Sequence, residues 1–247
     1  MRTRISGPRS VRGTRDEQQD SASVFSSARL GIVVVCDGVG SSPTAGICAR
    51  LASAAARDHL QVFAFRHRAS GPFLHATVDC VVDELRAAVA DGRLDPAAQS
   101  TLAAAVVLGR MCWVLTLGDS RVTLIRGGRV IESTTPHSVS MQVASGSIAA
   151  ETDRDAAWLT RWLSPDGSGG PPSILCWRVE PEDVVVVASD GIDDALPLWR
   201  MADVISRARL RLDDLSTAIM SAARASAAQD ADNATVAVLE VRPRKQR

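Results

Sequence analysis

Three times an apolar run ends in an aspartate beside glycine or serine: IVVVCDG at Asp37, VLTLGDS at Asp119 and VVVVASDG at Asp190. A fourth aspartate, Asp232, opens the run DNATVAV. Taken singly, each Asp-Gly or Asp-Ser is a turn signal. Four at strand ends would share one rim if paired sheets brought those ends together. At ~4 Å each like-charged pair would repel by roughly 4 kcal/mol at an effective dielectric of about 20. A hard cation removes that repulsion. All-oxygen ligation by aspartates, backbone carbonyls and water points to Mg²⁺ or Mn²⁺, since no His or Cys is spaced for zinc. Two such ions side by side would activate a water and clamp a phosphoryl group.

Those carboxylates need strands to carry them. Apolar runs at 30–36, 102–108, 111–117, 122–125, 174–179, 184–188 and 235–241 read as strands. Most neighbouring runs are joined by short turns (109–110, 118–120, 127–128), which favours antiparallel pairing. Pro43, behind the capping candidate Ser42, suits a first helical position, and Ile47, Leu51, Ala54 and Ala55 follow at helical spacing. A second helix over 76–92 gathers Val78, Val81, Val82, Leu85 and Val89 on one face and stops at Gly92. A later pair of helices falls at 198–208 and 212–227. One helix pair per sheet predicts an α+β fold, a four-layer α-β-β-α sandwich of two mainly antiparallel sheets flanked by helix pairs. The expected organisation is a single catalytic domain over 1–241, with a flap-like region at about 138–172 and a short basic tail at 242–247. Within the flap, Trp158 and Trp162 stand four residues apart with Arg161 between them, the spacing of a short helix packed on the core.

The 247 residues, 46% apolar, can fill one large core, and 28 basic against 28 acidic residues leave no footprint for nucleic acid. No stretch approaches the roughly 18 apolar residues of a membrane span, and the N-terminus lacks a signal-peptide core. The expectation is a cytoplasmic protein with no membrane partner. Cys36, Cys48, Cys80, Cys112 and Cys176 are odd in number, and each lies in an apolar run, as reduced core residues do. His59, His67 and His75 show no partner in the sequence, and the adjacent His137 and Ser138 read as a structural or flap feature. DGVGSSP is no dinucleotide loop, because Pro43 stands where the third glycine would fall; there is neither a Gly-Lys-Ser/Thr loop nor a Gly-x-Ser-x-Gly elbow.

From about Gly13 to Val241 the chain resembles the metal-dependent protein phosphatases, the PPM family of type 2C serine/threonine phosphatases, in its bacterial, catalytic-domain form. RDEQQD (15–20), DGVG (37–40), GDSR (118–121), HS (137–138), SDGIDD (189–194) and DNATV (232–236) stand in the family's motif order. The resemblance implies that Asp37 bridges two metals, Mn²⁺ or Mg²⁺, while the Gly38 carbonyl holds one of them. Asp190 and Asp232 would ligate the other; Gln19 and Asp20 would hold metal-bound waters. Asp119 and Asp194 match the aspartates of a third, weaker metal site. Arg15, or Arg12 if the alignment slips, would grip the substrate phosphate in a bidentate fork. Asn233 would support the phosphate or its water.

The implied reaction is hydrolysis of a phosphoserine or phosphothreonine monoester by a water bridging two ions, without a covalent phosphoenzyme. The partner it implies is a phosphoprotein substrate; the economy of a short catalytic chain adds the expectation of a separately encoded partner, a Ser/Thr kinase of the same pathway, and a monomer is expected. Departures from the family pattern are Gln18 for the usual Asn, Gln99-Ser100-Thr101 for Gly-Thr-Thr, Ser41 for a glycine, and Val39 where eukaryotic members carry a histidine. The competing reading is a catalytically weak, phosphatase-like module that senses a phosphoprotein.

Overall fold

The computed structural model describes residues 1–62, 71–144, 158–211, 214–227 and 231–243. Its central strands explain why the sequence reads as unbroken apolar runs. In β3 (Leu30–Val39), Ile32, Val34 and Cys36 face one apolar cluster, while Val33 and Val35 face another. The same alternation divides β5 (Leu102–Leu108) and β10 (Val184–Ala188). A strand buried on both faces needs an apolar residue at every position, so the period of two vanishes from its sequence.

Two antiparallel sheets result. One has the order β1 (Arg2–Val11), β11 (Ala234–Arg242), β10, β7 (Arg121–Arg126), β8 (Arg129–Ser133). The other runs β2 (Asp20–Ser26), β3, β5, β6 (Met111–Leu117), β9 (Ser173–Arg178), with the two-residue β4 (Gln99–Ser100) also paired to β3. The inner cluster of Val33, Val35, Ala103, Ala105, Val185, Val187, Ala237 and Leu239 lies between the sheets. Helices α1 (Ala45–Val62) and α2 (Gly71–Ala90) cover the second sheet. The first is covered by α4 (Asp190–Ala195), α5 (Leu198–Arg211) and α6 (Leu215–Ser226). The four-layer arrangement is the one expected.

Details differ from expectation for local reasons. α1 begins at Ala45, two residues beyond Pro43: Ser42 accepts the Thr44 N–H at 3.2 Å through its hydroxyl and the Ala45 N–H at 3.1 Å through its carbonyl. Residues 158–163 are not helical; Leu159 and Leu163 make isolated bridges to Ser138 and Ser100, and Trp158 is 66% exposed rather than packed in the core. Cys36, Cys48 and Cys112 are buried as expected, but Cys80 and Cys176 are exposed. His59 does have partners, Thr77 at 3.0 Å and the stacked ring of Phe73; His67 lies outside the described residues. The short α3 (Val139–Ala144) falls in the stretch expected to form a flap, whose residues 145–157 are outside the described set, as are 244–247 of the basic tail.

Candidate functional site

The carboxylates meet where both sheets end. Asp20, the first residue of β2, pairs across the ladder with Asp37 near the end of β3. Asp119 follows β6, Asp190 follows β10, and Asp232 stands two residues before β11. Each sheet therefore delivers part of the rim.

The backbone beneath Asp37 is fixed from both sides. Its N–H donates to Thr101 Oγ1 at 2.9 Å, and its carbonyl accepts from the Thr101 N–H at 2.8 Å and from Ser100 Oγ at 2.9 Å. Gly38 follows because nothing larger fits: a Cβ there would stand 2.5 Å from the Ala45 carbonyl at the start of α1. Gly191 is constrained similarly, with the Asn233 carbonyl oxygen 2.1 Å from where its Cβ would be. Ser189 ties the two sheets together, donating to Asp20 Oδ2 at 2.8 Å and accepting the Thr235 N–H at 2.9 Å.

Below Asp119, His137 Nδ1 accepts the Gly118 N–H at 3.2 Å, and its other ring nitrogen lies 2.8 Å from Ser173 Oγ. Burial, reinforced by Arg161, pushes this imidazole down to about 4. It is a neutral bracket for the Asp119 turn.

Electrostatics point to a missing counter-charge. Burial holds Asp37 well above the ordinary carboxylate range, and the charges of Asp20 and Asp190 push it further the same way. Asp190 is pushed up to about 8, first by burial and then by Asp119, Asp232, Asp194 and Asp20. Asp20 and Asp119 are also raised, chiefly by burial. Buried oxygens on Asp20, Asp119 and Asp190 have no hydrogen-bond partner. Among the described residues no three His, Cys, Asp or Glu side chains stand together in an arrangement that could by itself hold a metal ion. An open rim of mutually repelling carboxylates with unpartnered oxygens suits a hard divalent cation whose remaining ligands are waters and substrate. The donor set fits Mg²⁺ or Mn²⁺.

Two arginines mark the margins. Arg15 Nη2 lies 2.5 Å from Asp232 Oδ2, at the rim itself. Arg12 instead donates to the Asp16 carbonyl at 3.1 Å. Arg121 pairs with Asp193 at 2.6 Å, and burial still pushes Asp193 up to about 6. A cleft of about 220 Å³ beside this pair is lined by Asp119, Asp190, Asp194, Ser138 and Met141, so it runs from the rim to α3. The pairing of Arg121 and Asp193 joins two motifs already visible in the sequence, GDSR and SDGIDD; only the fold shows that they touch.

Gln19 contributes mainly backbone, its carbonyl accepting the Gly38 N–H at 3.2 Å. The buried amide of Asn233 is committed to the loop that carries Arg15 and Asp20. It accepts the Gln19 N–H at 2.7 Å and donates to the carbonyls of Arg12 at 2.7 Å and Glu17 at 3.0 Å. Replacing Asn233 by alanine strands three backbone groups, so Asn233→Ala is expected to cost about 2 kcal/mol in urea unfolding. The same variant should be cut sooner by protease within 12–19.

Comparison with known proteins agrees with this geometry. A search of curated proteins finds no match. Among solved structures, the S. agalactiae serine/threonine phosphatase aligns at 22% identity over 97% of this chain and 99% of its own, with a TM-score of 0.76. The catalytic domain of the phosphatase PstP in complex with two manganese ions aligns at 23% identity over 98% and 99%, with a TM-score of 0.74. A bacterial serine phosphatase aligns at 17% identity over the full length of both chains, with a TM-score of 0.81. At these identities the likeness speaks for the fold. The family model for protein phosphatase 2C matches residues 9–229, most of the sequence, and the chain belongs to that family.

Proposed function

We propose that the chain hydrolyses phosphoserine and phosphothreonine monoesters in proteins, using Mn²⁺ or Mg²⁺ held by Asp37, Asp190 and Asp232, with the Gly38 carbonyl beside them. The observation that carries this reading is the shared rim of buried carboxylates, raised in pKa and with unpartnered oxygens. Bound there, the cations neutralise phosphoryl oxygens and acidify the attacking water. Asp20 is placed to orient water through the hydroxyl-bonded carboxylate it presents. Arg15, which pairs with Asp232 at the rim, would hold the substrate phosphate, its planar fork matching two phosphoryl oxygens. Asp119 and Asp194, with the cleft between them, are the place for a further ion. No helix among the described residues is long and apolar enough to cross a membrane.

The test is hydrolysis of p-nitrophenyl phosphate and of phosphothreonine peptides with and without Mn²⁺. Turnover should appear with the metal and vanish with EDTA. Binding of Mn²⁺ and of phosphopeptide without turnover would favour the sensing module instead.

A further inference from the structure

Beside the rim lies a second cavity, of about 490 Å³, that the proposed reaction does not use. Its floor is apolar: Val11 at the end of β1, Ala195 of α4, and Met220 and Ala223 of α6, the last two almost fully buried. Two exposed arginines, Arg12 and Arg224, line it as well. Asp232 and Gly191 line it too, so it opens directly from the metal rim.

Among the described residues neither arginine has an acidic partner. Among the described residues Arg224 makes no hydrogen bond or ion pair, and Arg12 bonds only a backbone carbonyl. Among the described residues the one carboxylate lining the cavity, Asp232, is paired with Arg15. A recess of this size that combines apolar side chains with guanidinium groups lacking an acidic partner among the described residues is complementary to an apolar side chain next to an anionic one. Because the recess shares Asp232 with the rim, a chain whose phosphorylated side chain reaches the metals has its neighbouring residues over this recess.

We infer that this cavity is a substrate-selecting subsite, which takes an apolar side chain adjacent to the phosphoresidue while Arg12 and Arg224 engage a neighbouring acidic side chain. The inference rests on the phosphatase reading for what lies at the rim. An apolar contact of this kind discriminates by about tenfold, and an exposed ion pair adds up to about fivefold.

The test uses fluorescein-labelled phosphothreonine peptides flanked, on either side, by Leu-Glu, Leu-Gln or Ala-Gln. Both kcat/KM and affinity by anisotropy are measured for the full chain, for Arg224→Glu, and for Ala227→Trp, which fills the cavity from an exposed lining position. Ratios between peptides on one variant cancel any change in folding or metal loading. The expected result is a Leu-Glu preference in the unmodified chain. Arg224→Glu should lose the part due to glutamate, and Ala227→Trp the part due to leucine. Equal values for all three peptides, or ratios that neither substitution changes, would overturn the subsite. If no phosphate ester turns over, the phosphatase reading fails, and the anisotropy ratios still decide whether the cavity selects its flanking residues.

Discussion

Asp190→Asn should abolish turnover while making the metal-free protein more stable. Asparagine keeps the size of the side chain and its place at the start of α4 but is neutral without a proton, whereas Asp190 has to take one up on folding because burial and four neighbouring carboxylates oppose its charge. Loss of outer partners of metal ligands alone costs 10–100-fold in comparable sites, so loss of a proposed ligand should lower kcat/KM by about 10³ or more. Removing that cost of proton uptake acts in the opposite direction at neutral pH. It should raise stability by on the order of 2 kcal/mol, about 5 °C in the melting temperature of a chain this size. Kinetics on p-nitrophenyl phosphate and melting in EDTA read the two effects separately. An Asp190→Asn protein that is inactive and also less stable would show only damage to the fold; the opposed signs are specific to a carboxylate kept for its charge.

The second large effect is a pH-dependent stabilisation by metal. Asp190 carries its proton in the folded protein up to about 8, against an ordinary value of 3.8. A carboxylate raised in this way contributes stability that is fully present below 3.8 and is lost as the pH climbs through about 8. Asp37, Asp20 and Asp119 are raised in the same direction. The metal-free protein should therefore melt at lower temperature at pH 8 than at pH 5.5. Mn²⁺ binds the ionised rim, so it should help little at the acid end. At about a hundred times its dissociation constant it should contribute about 2.7 kcal/mol, or roughly 5–10 °C, at the alkaline end. Thermal melts at both pH values, with EDTA and with Mn²⁺, measure this. Equal Mn²⁺ shifts at both would falsify the assignment of the raised carboxylates to cation binding.

What could be read in the sequence follows burial. The runs at 102–108, 111–117 and 184–188 coincide with β5, β6 and β10, because strands covered on both faces announce themselves in every residue. β1, β2 and β8 escaped for the converse reason. β1 is an edge strand with Arg2, Arg4 and Arg9, interrupted at Gly7-Pro8, where its register against β11 shifts. β2 is mostly small and polar, and β8 is short and half exposed. Trp158 misled because helical spacing says nothing about whether a loop will take up the helix. At the site, residue type and strand-end position were enough to gather Asp37, Asp119, Asp190 and Asp232. The supports were not legible in the same way. That Thr101 brackets Asp37, that His137 brackets Gly118, and that Asn233 holds the loop over 12–19 depends on contacts between residues as much as 221 positions apart.

The two-sheet origin of the rim bears on how such a chain can change over generations. Asp20 and Asp37 ride on one sheet and Asp190 and Asp232 on the other, so their separation is set by how closely the sheets lie. That spacing is filled in part by small side chains, Ala103, Ala105 and Ala237, against Val185, Val187 and Leu239. One methylene added at any of these alanines widens the gap and moves carboxylates relative to one another, without touching a single proposed ligand. Selection for activity thus reaches deep into the apolar interior. Drift there is tolerated only as compensated exchanges, in which one sheet loses the volume that the other gains.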